Sequence, residues 1–194
     1  MIINKEDYKA KLPCIKILDI RSNINKLLII TTFLFLNGCL GMPESIKPVN
    51  DFELNKYLGK WYEIARLDHS FERGLSEVTA EYKLLEDGGV SVVNRGFSRI
   101  DNEWQVAKGK AYFVNSNNEA YLKVSFFVPF HSSYVVFDLD KENYQYAFVS
   151  GPNTSYLWLL SRTPNIESKI LKRFITITEK LGFDTEKLII IEHK

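Results

Sequence analysis

"YLGKWYEIAR", Tyr57 to Arg66, poses a problem that the rest of the chain has to solve. Gly59 stands two residues ahead of Trp61 in an apolar-rich segment, and an indole is costly to bury unless its N–H finds an acceptor. Between this stretch and "SYLWLLSR", Ser155 to Arg162, lie short runs of Val, Tyr, Phe and Ile broken by turn residues. That rhythm belongs to an all-β sandwich or barrel.

Eight strands are expected, at about 61–67, 78–86, 89–97, 103–114, 119–127, 133–139, 144–150 and 155–162. "EDGG" (86–89), "NSNN" (115–118) and "DKEN" (140–143) are tight polar hairpin turns. They alternate with the longer "RLDHSFERGLSE" (66–77), "SRIDN" (98–102), "VPFHSS" (128–133) and "GPNTS" (151–155). In a meander, alternate connections fall at the same end. The pattern predicts an all-β fold, an eight-stranded antiparallel up-and-down β-barrel, with its tight turns at one end and longer loops ringing the other. Such a barrel has room for one small ligand.

When a meander closes, its first and last strands become neighbours. Trp61 and Arg162 are then expected to stack across the closed end, with Gly59 permitting the close turn beneath them. After Arg162, a C-terminal α-helix is expected to pack on the outside of the barrel. Thr163 is its candidate N-cap, Pro164 its first residue and Gly182 its C-terminal cap, with Ile166, Ile170, Phe174, Ile177 and Leu181 forming one apolar stripe. "KLIIIE", Lys187 to Glu192, is expected to add a short strand beside the first.

The 194 residues suit one domain plus an extension, and 45% hydrophobic content is normal for a packed core. With 25 Lys and Arg against 24 Asp and Glu, the chain lacks the basic footprint of a nucleic-acid binder. A neutral or apolar partner is expected instead.

The leader is a separate matter. Six basic residues from Lys5 to Lys26 precede the uncharged run "LLIITTFLFLNGCLGM" (27–42), whose greasiest part, Leu27 to Leu36, is a secretory h-region too short to cross a bilayer. "LNGC" resembles the lipobox of bacterial lipoproteins, which would make Cys39 the lipidated first residue of the mature chain. Asn37 departs from the smaller residue usual in that motif, so an ordinary secretory signal is the alternative reading. Leu40, in place of an aspartate after the cysteine, implies the outer membrane. The expected division is a signal peptide over 1–38, a lipidated N-terminus and tether over 39–52 with Pro43 and Pro48, and the barrel domain over 53–194. The only other cysteine, Cys14, lies in the leader, so no disulfide is expected in the barrel.

"GKWYEIAR", "YQYAFVSGPNTSYLWLLSR" and the helix after them resemble the three signature regions of the lipocalin family. "FERG" (71–74) and "DGGVSVVNRGF" (87–97) are similar to its bacterial outer-membrane lipoproteins and its apolipoprotein D-like members. The likeness implies binding of fatty acids and lysophospholipids, at the periplasmic face of the outer membrane. It implies a membrane contact through the lipid anchor and no cofactor, and it is compatible with a homodimer. Strand parity from Arg162 puts Leu160, Trp158 and Tyr156 on the inner face. The resemblance adds Tyr82 and Asn94 as pocket residues. Alternation then gives Ala80, Leu84, Val92, Leu122, Val124 and Phe126 as inward candidates, with Tyr134 near the mouth.

Each of these has a plainer reading. Trp158 and Phe126 could fill a solid core, and Tyr82 and Asn94 could satisfy each other. Phe71 could be a lid and Arg73 a phosphate contact, or Arg73 could pair with a neighbouring carboxylate in water. Arg66 and Arg99 are weak rim candidates. His69, His131 and His193 lack ligand spacing and are expected at the surface, so no metal site is proposed. No GxSxG, P-loop or GxGxxG pattern occurs. Glu63 shares the face of Trp61, and one carboxylate without a partner is thin evidence for acid–base chemistry; the alternative, an enzyme acting on a hydrophobic substrate, would draw on Tyr82, Asn94 and Glu63 together.

Overall fold

The computed structural model describes residues 40–193. A short helix α1 (Leu54–Tyr57) leads into β1 (Gly59–Leu67), β2 (Leu75–Leu84), β3 (Val90–Ser98), β4 (Glu103–Phe113), β5 (Tyr121–Phe127), β6 (Phe130–Leu139), β7 (Tyr146–Ser150) and β8 (Leu157–Ser161). Helix α2 (Ser168–Lys180) and strand β9 (Leu188–Ile190) complete the chain. From β1 to β8, each strand pairs antiparallel with the next. β8 pairs with β1 and β1 with β2, which closes the eight-stranded barrel.

β1 has to serve three partners. Residues 59–62 pair with β2, 62–66 with β8, and 65–67 with β9. A bulge between Glu63 and Ala65 re-aims the strand between these duties. In a regular strand, side chains three apart face opposite ways; across the bulge, Glu63 and Arg66 meet.

Two apolar clusters lie on either side of the barrel wall. The inner one contains Trp61, Tyr82, Val92, Leu122 and Leu160. The outer one joins the external faces of β1, β6, β7 and β8 to α2, where Phe174 is fully buried and stacks edge-on against Phe148 at 4.9 Å. The apolar stripe of α2 and its place outside the barrel follow the sequence, and Gly182 ends it with φ at +89°. Its start does not. Glu167, not Thr163, is the N-cap residue, because the Thr163 hydroxyl donates to the Asn165 carbonyl at 2.6 Å and is spent in a turn.

The segment expected as a free tether is also different. Ile46 and Phe52 are buried, Val49 N–H donates to the Val136 carbonyl at 2.9 Å, and Asn50 bridges to Glu119. Residues 41–52 therefore run along the barrel wall instead of spacing it from anything. Cys39 and the leader lie outside the described residues.

Candidate functional site

The floor is built from the start of β1 and the residue that follows β8. Arg162 lies over the Trp61 ring, with its guanidinium carbon 3.9 Å from the ring centroid. Its N–H groups donate to the carbonyls of Lys56 (2.6 Å), Lys60 (2.9 Å) and Tyr144 (3.2 Å). The Trp61 indole donates to the Tyr57 carbonyl at 2.8 Å, so the buried N–H has its acceptor. Gly59 has φ at +94°, which a side chain rarely adopts, and this lets β1 start directly beneath the plug. The tight turns do close this end.

Above the floor is a cavity of 340 Å³. Tyr82, Asn94, Val124, Phe126, Tyr134 and Trp158 all border it, as do Tyr156 and Leu160. The interior is hollow rather than filled. Two placements differ from expectation. Leu84 is 54% exposed, because β1 begins opposite Tyr82 and Leu84 projects past the floor with no β1 neighbour. Tyr134 lies deep instead of at the mouth, since β6 starts at Phe130, earlier than expected. Its hydroxyl bonds Tyr57 at 2.6 Å and Tyr82 at 2.9 Å. Tyr82 thus pairs with Tyr134, not with Asn94, whose Oδ1 is buried without a donor. Burial raises all three phenols above their ordinary value, so this chain of hydroxyls stays neutral.

The wall nearer the mouth carries charge. Glu63 and Arg66 form an ion pair at 2.6 Å, both almost wholly buried. Arg66 also donates to the carbonyls of Glu72 (2.8 Å) and Leu75 (3.1 Å), tying the 66–77 loop down onto the barrel. The Glu72 carboxylate accepts the Trp158 indole N–H at 3.0 Å and lies 3.1 Å from the His69 ring. Burial, then the charge of Glu72, pushes the Glu63 carboxyl well up, with Arg66 opposing. Burial also pushes Glu72 up, but His69, the Trp158 N–H and Arg66 outweigh it and hold Glu72 down. Glu63, His69 and Glu72 all face the cavity.

This cluster corrects several expectations. His69 is buried, not at the surface, and both its ring nitrogens lack an aligned hydrogen bond. Arg66 is 1% exposed and no rim residue. His131 borders the cavity mouth, and His193 packs edge-on to Tyr62 and bonds the Glu63 carbonyl at 2.7 Å. Arg73 pairs with Asp68, and Arg99 with Glu192. Phe71 packs at a tilt against Phe126 with centroids 4.8 Å apart, and both border the cavity. Among the described residues, no group of three His, Cys, Asp or Glu is placed to hold a metal ion.

Comparison with known proteins supplies the family. The model of the lipocalin-like domain matches residues 52–193. The chain belongs to the lipocalin family. Among curated lipocalins, outer membrane lipoprotein Blc of Vibrio cholerae is 69% identical over 159 residues, 82% of this chain and 93% of that protein. Its Escherichia coli counterpart is 47% identical over 150 residues, 77% of this chain and 84% of that protein. Insecticyanin from the tobacco hornworm shares the lipocalin barrel with a TM-score of 0.62 at 21% identity, covering 79% of this chain and 87% of that one.

Proposed function

We propose that this lipocalin binds single-chain lipids, fatty acids and lysophospholipids, in its barrel cavity while lipids on Cys39 hold it at the periplasmic face of the outer membrane. One observation carries the reading: a 340 Å³ cavity, closed at the floor and walled by Val92, Leu122, Val124, Phe126 and Leu160. That volume lies in the range of small-molecule sites, and the lining suits an acyl chain. Burial of the chain contributes about 0.8 kcal/mol per CH₂ before ordering costs, enough for micromolar binding by a long chain. The related outer membrane lipoproteins support the location.

The test is Val124→Asp in the lipoprotein purified from membranes. Water in the empty cavity can solvate the new carboxylate, so the barrel folds, whereas an acyl chain would strand it. Native mass spectrometry and organic extraction are expected to find lipid in the parent and at least tenfold less in the variant. Equal occupancy would overturn the reading. Catalysis on a hydrophobic substrate draws on a separate observation, the raised Glu63 carboxyl facing the same cavity. Turnover of bound lipid that is lost in Glu63→Gln while binding persists would replace a carrier with an enzyme.

A further inference from the structure

The open end of this barrel is greasy outside as well as inside. Val128 is 89% exposed, Ile100 87%, Phe127 71% and Phe130 61%. They come from the β3–β4 loop and from the β5–β6 connection with the strand ends that flank it, which the meander places at the same end, beside Phe71 at 40%. Phe71, Phe127 and Phe130 also border the cavity, so the apolar rim is continuous with the apolar interior. A patch of this kind marks a docking surface.

The N-terminal segment says what covers it. From the floor, where Asn50 bridges Glu119, the chain runs backwards up the outer wall. Gly41 N–H donates to Ser133 Oγ at 2.9 Å, near the start of β6, and a Cβ on Gly41 would lie 4.0 Å from the Pro152 carbonyl in an open-end loop. Cys39 is two residues further out, a reach of at most about 7 Å. An acylated Cys39 therefore enters its bilayer beside the mouth, not beside the floor. Of the charged side chains around the rim, Arg73 pairs with Asp68 and Arg99 with Glu192, which lowers the cost of bringing them to an interface, while Asp101 beside Ile100 accepts hydrogen bonds from Ser98 and Gln105.

We infer that the mouth of the barrel faces the membrane that carries the anchor, with Phe127, Val128, Phe130 and Ile100 dipped into its surface, so that lipid passes between bilayer and cavity without crossing water. This rests on the lipidation of Cys39 proposed above.

Two variants of the full lipoprotein test it, each adding one indole: Val128→Trp at the rim and Glu142→Trp in the exposed tight turn at the floor. Each is reconstituted into vesicles of phosphatidylglycerol and phosphatidylethanolamine with and without brominated acyl chains, and the parent emission is subtracted. The rim indole is expected to lose at least half its emission to bromine, and the floor indole to be unchanged. Quenching at Glu142→Trp, or none at Val128→Trp, overturns the orientation. Intact mass separates the premises: an unmodified Cys39 overturns the anchoring reading and this inference with it, whereas an acylated Cys39 with an unquenched rim overturns the inference alone. If cross-linking captures pairs joined through 127–130 and the rim is unquenched, the surface belongs to a second copy instead.

Discussion

The two ends of this barrel handle buried cations in opposite ways. At the floor, Arg162 meets a neutral indole face and three backbone carbonyls, and every polar group has a partner. Near the mouth, Arg66 bonds the Glu63 carboxylate and the Glu72 main-chain carbonyl, while the second buried carboxylate, that of Glu72, lies against a His69 ring whose nitrogens have no aligned hydrogen bond. The floor is a finished seal. The mouth crowds two carboxylates around one guanidinium on the cavity wall, and burial with the charge of Glu72 pushes the Glu63 carboxyl up.

The most severe way to break the comparison is Arg66→Met, which strands Glu63 and Glu72 together; a loss of about 3–5 kcal/mol is expected in urea unfolding. Arg162→Ala, which opens the floor, is expected to cost less, about 2–3 kcal/mol, because the freed carbonyls reach water. Acidity sharpens the contrast. The raised Glu63 carboxyl lets the folded state hold a proton above its ordinary value of 4.5, so its contribution to stability is present at low pH and lost as pH rises through the raised value. The lowered Glu72 does the reverse, contributing above the ordinary carboxylate value and losing that as pH falls. Glu63→Gln removes the first slope and keeps the second, so its stability is expected to fall less than the parent's between pH 5 and pH 8 in matched urea titrations. At the floor the smallest effect is Gly59→Ala, where φ at +94° opposes a side chain and about 1 kcal/mol is lost, with no change in the pH profile.

The same contrast governs what could be read in advance. Trp61 and Arg162 were legible together because closing a meander must join its first and last strands. Parity from Arg162 then placed Leu160, Trp158 and Tyr156 correctly on the cavity side. Parity stops at a bulge. The one between Glu63 and Ala65 turns Arg66 onto its neighbour, and no residue type there announces it. His69 and Glu72 belong to a loop, where alternation has no meaning; their burial follows from Arg66 gripping the loop's own carbonyls. Tyr57 carries no signal for a similar reason, since α1 is a single turn, too short for a periodicity, whose tyrosine hydroxyl meets that of Tyr134. The prolines at 43 and 48 suggested a tether, but Ile46 and Phe52 between and beyond them bring that segment to the wall.

β1 finally sets an order of events in synthesis. It is the first strand of the barrel made, yet β8 and β9, two of its three partners, are the last. Until the C-terminus has emerged, one edge of β1 has no strand to pair with, and an unpaired edge is the template on which chains join to one another. A nascent chain halted before Leu188 would lack β9, the strand that covers the upper part of β1.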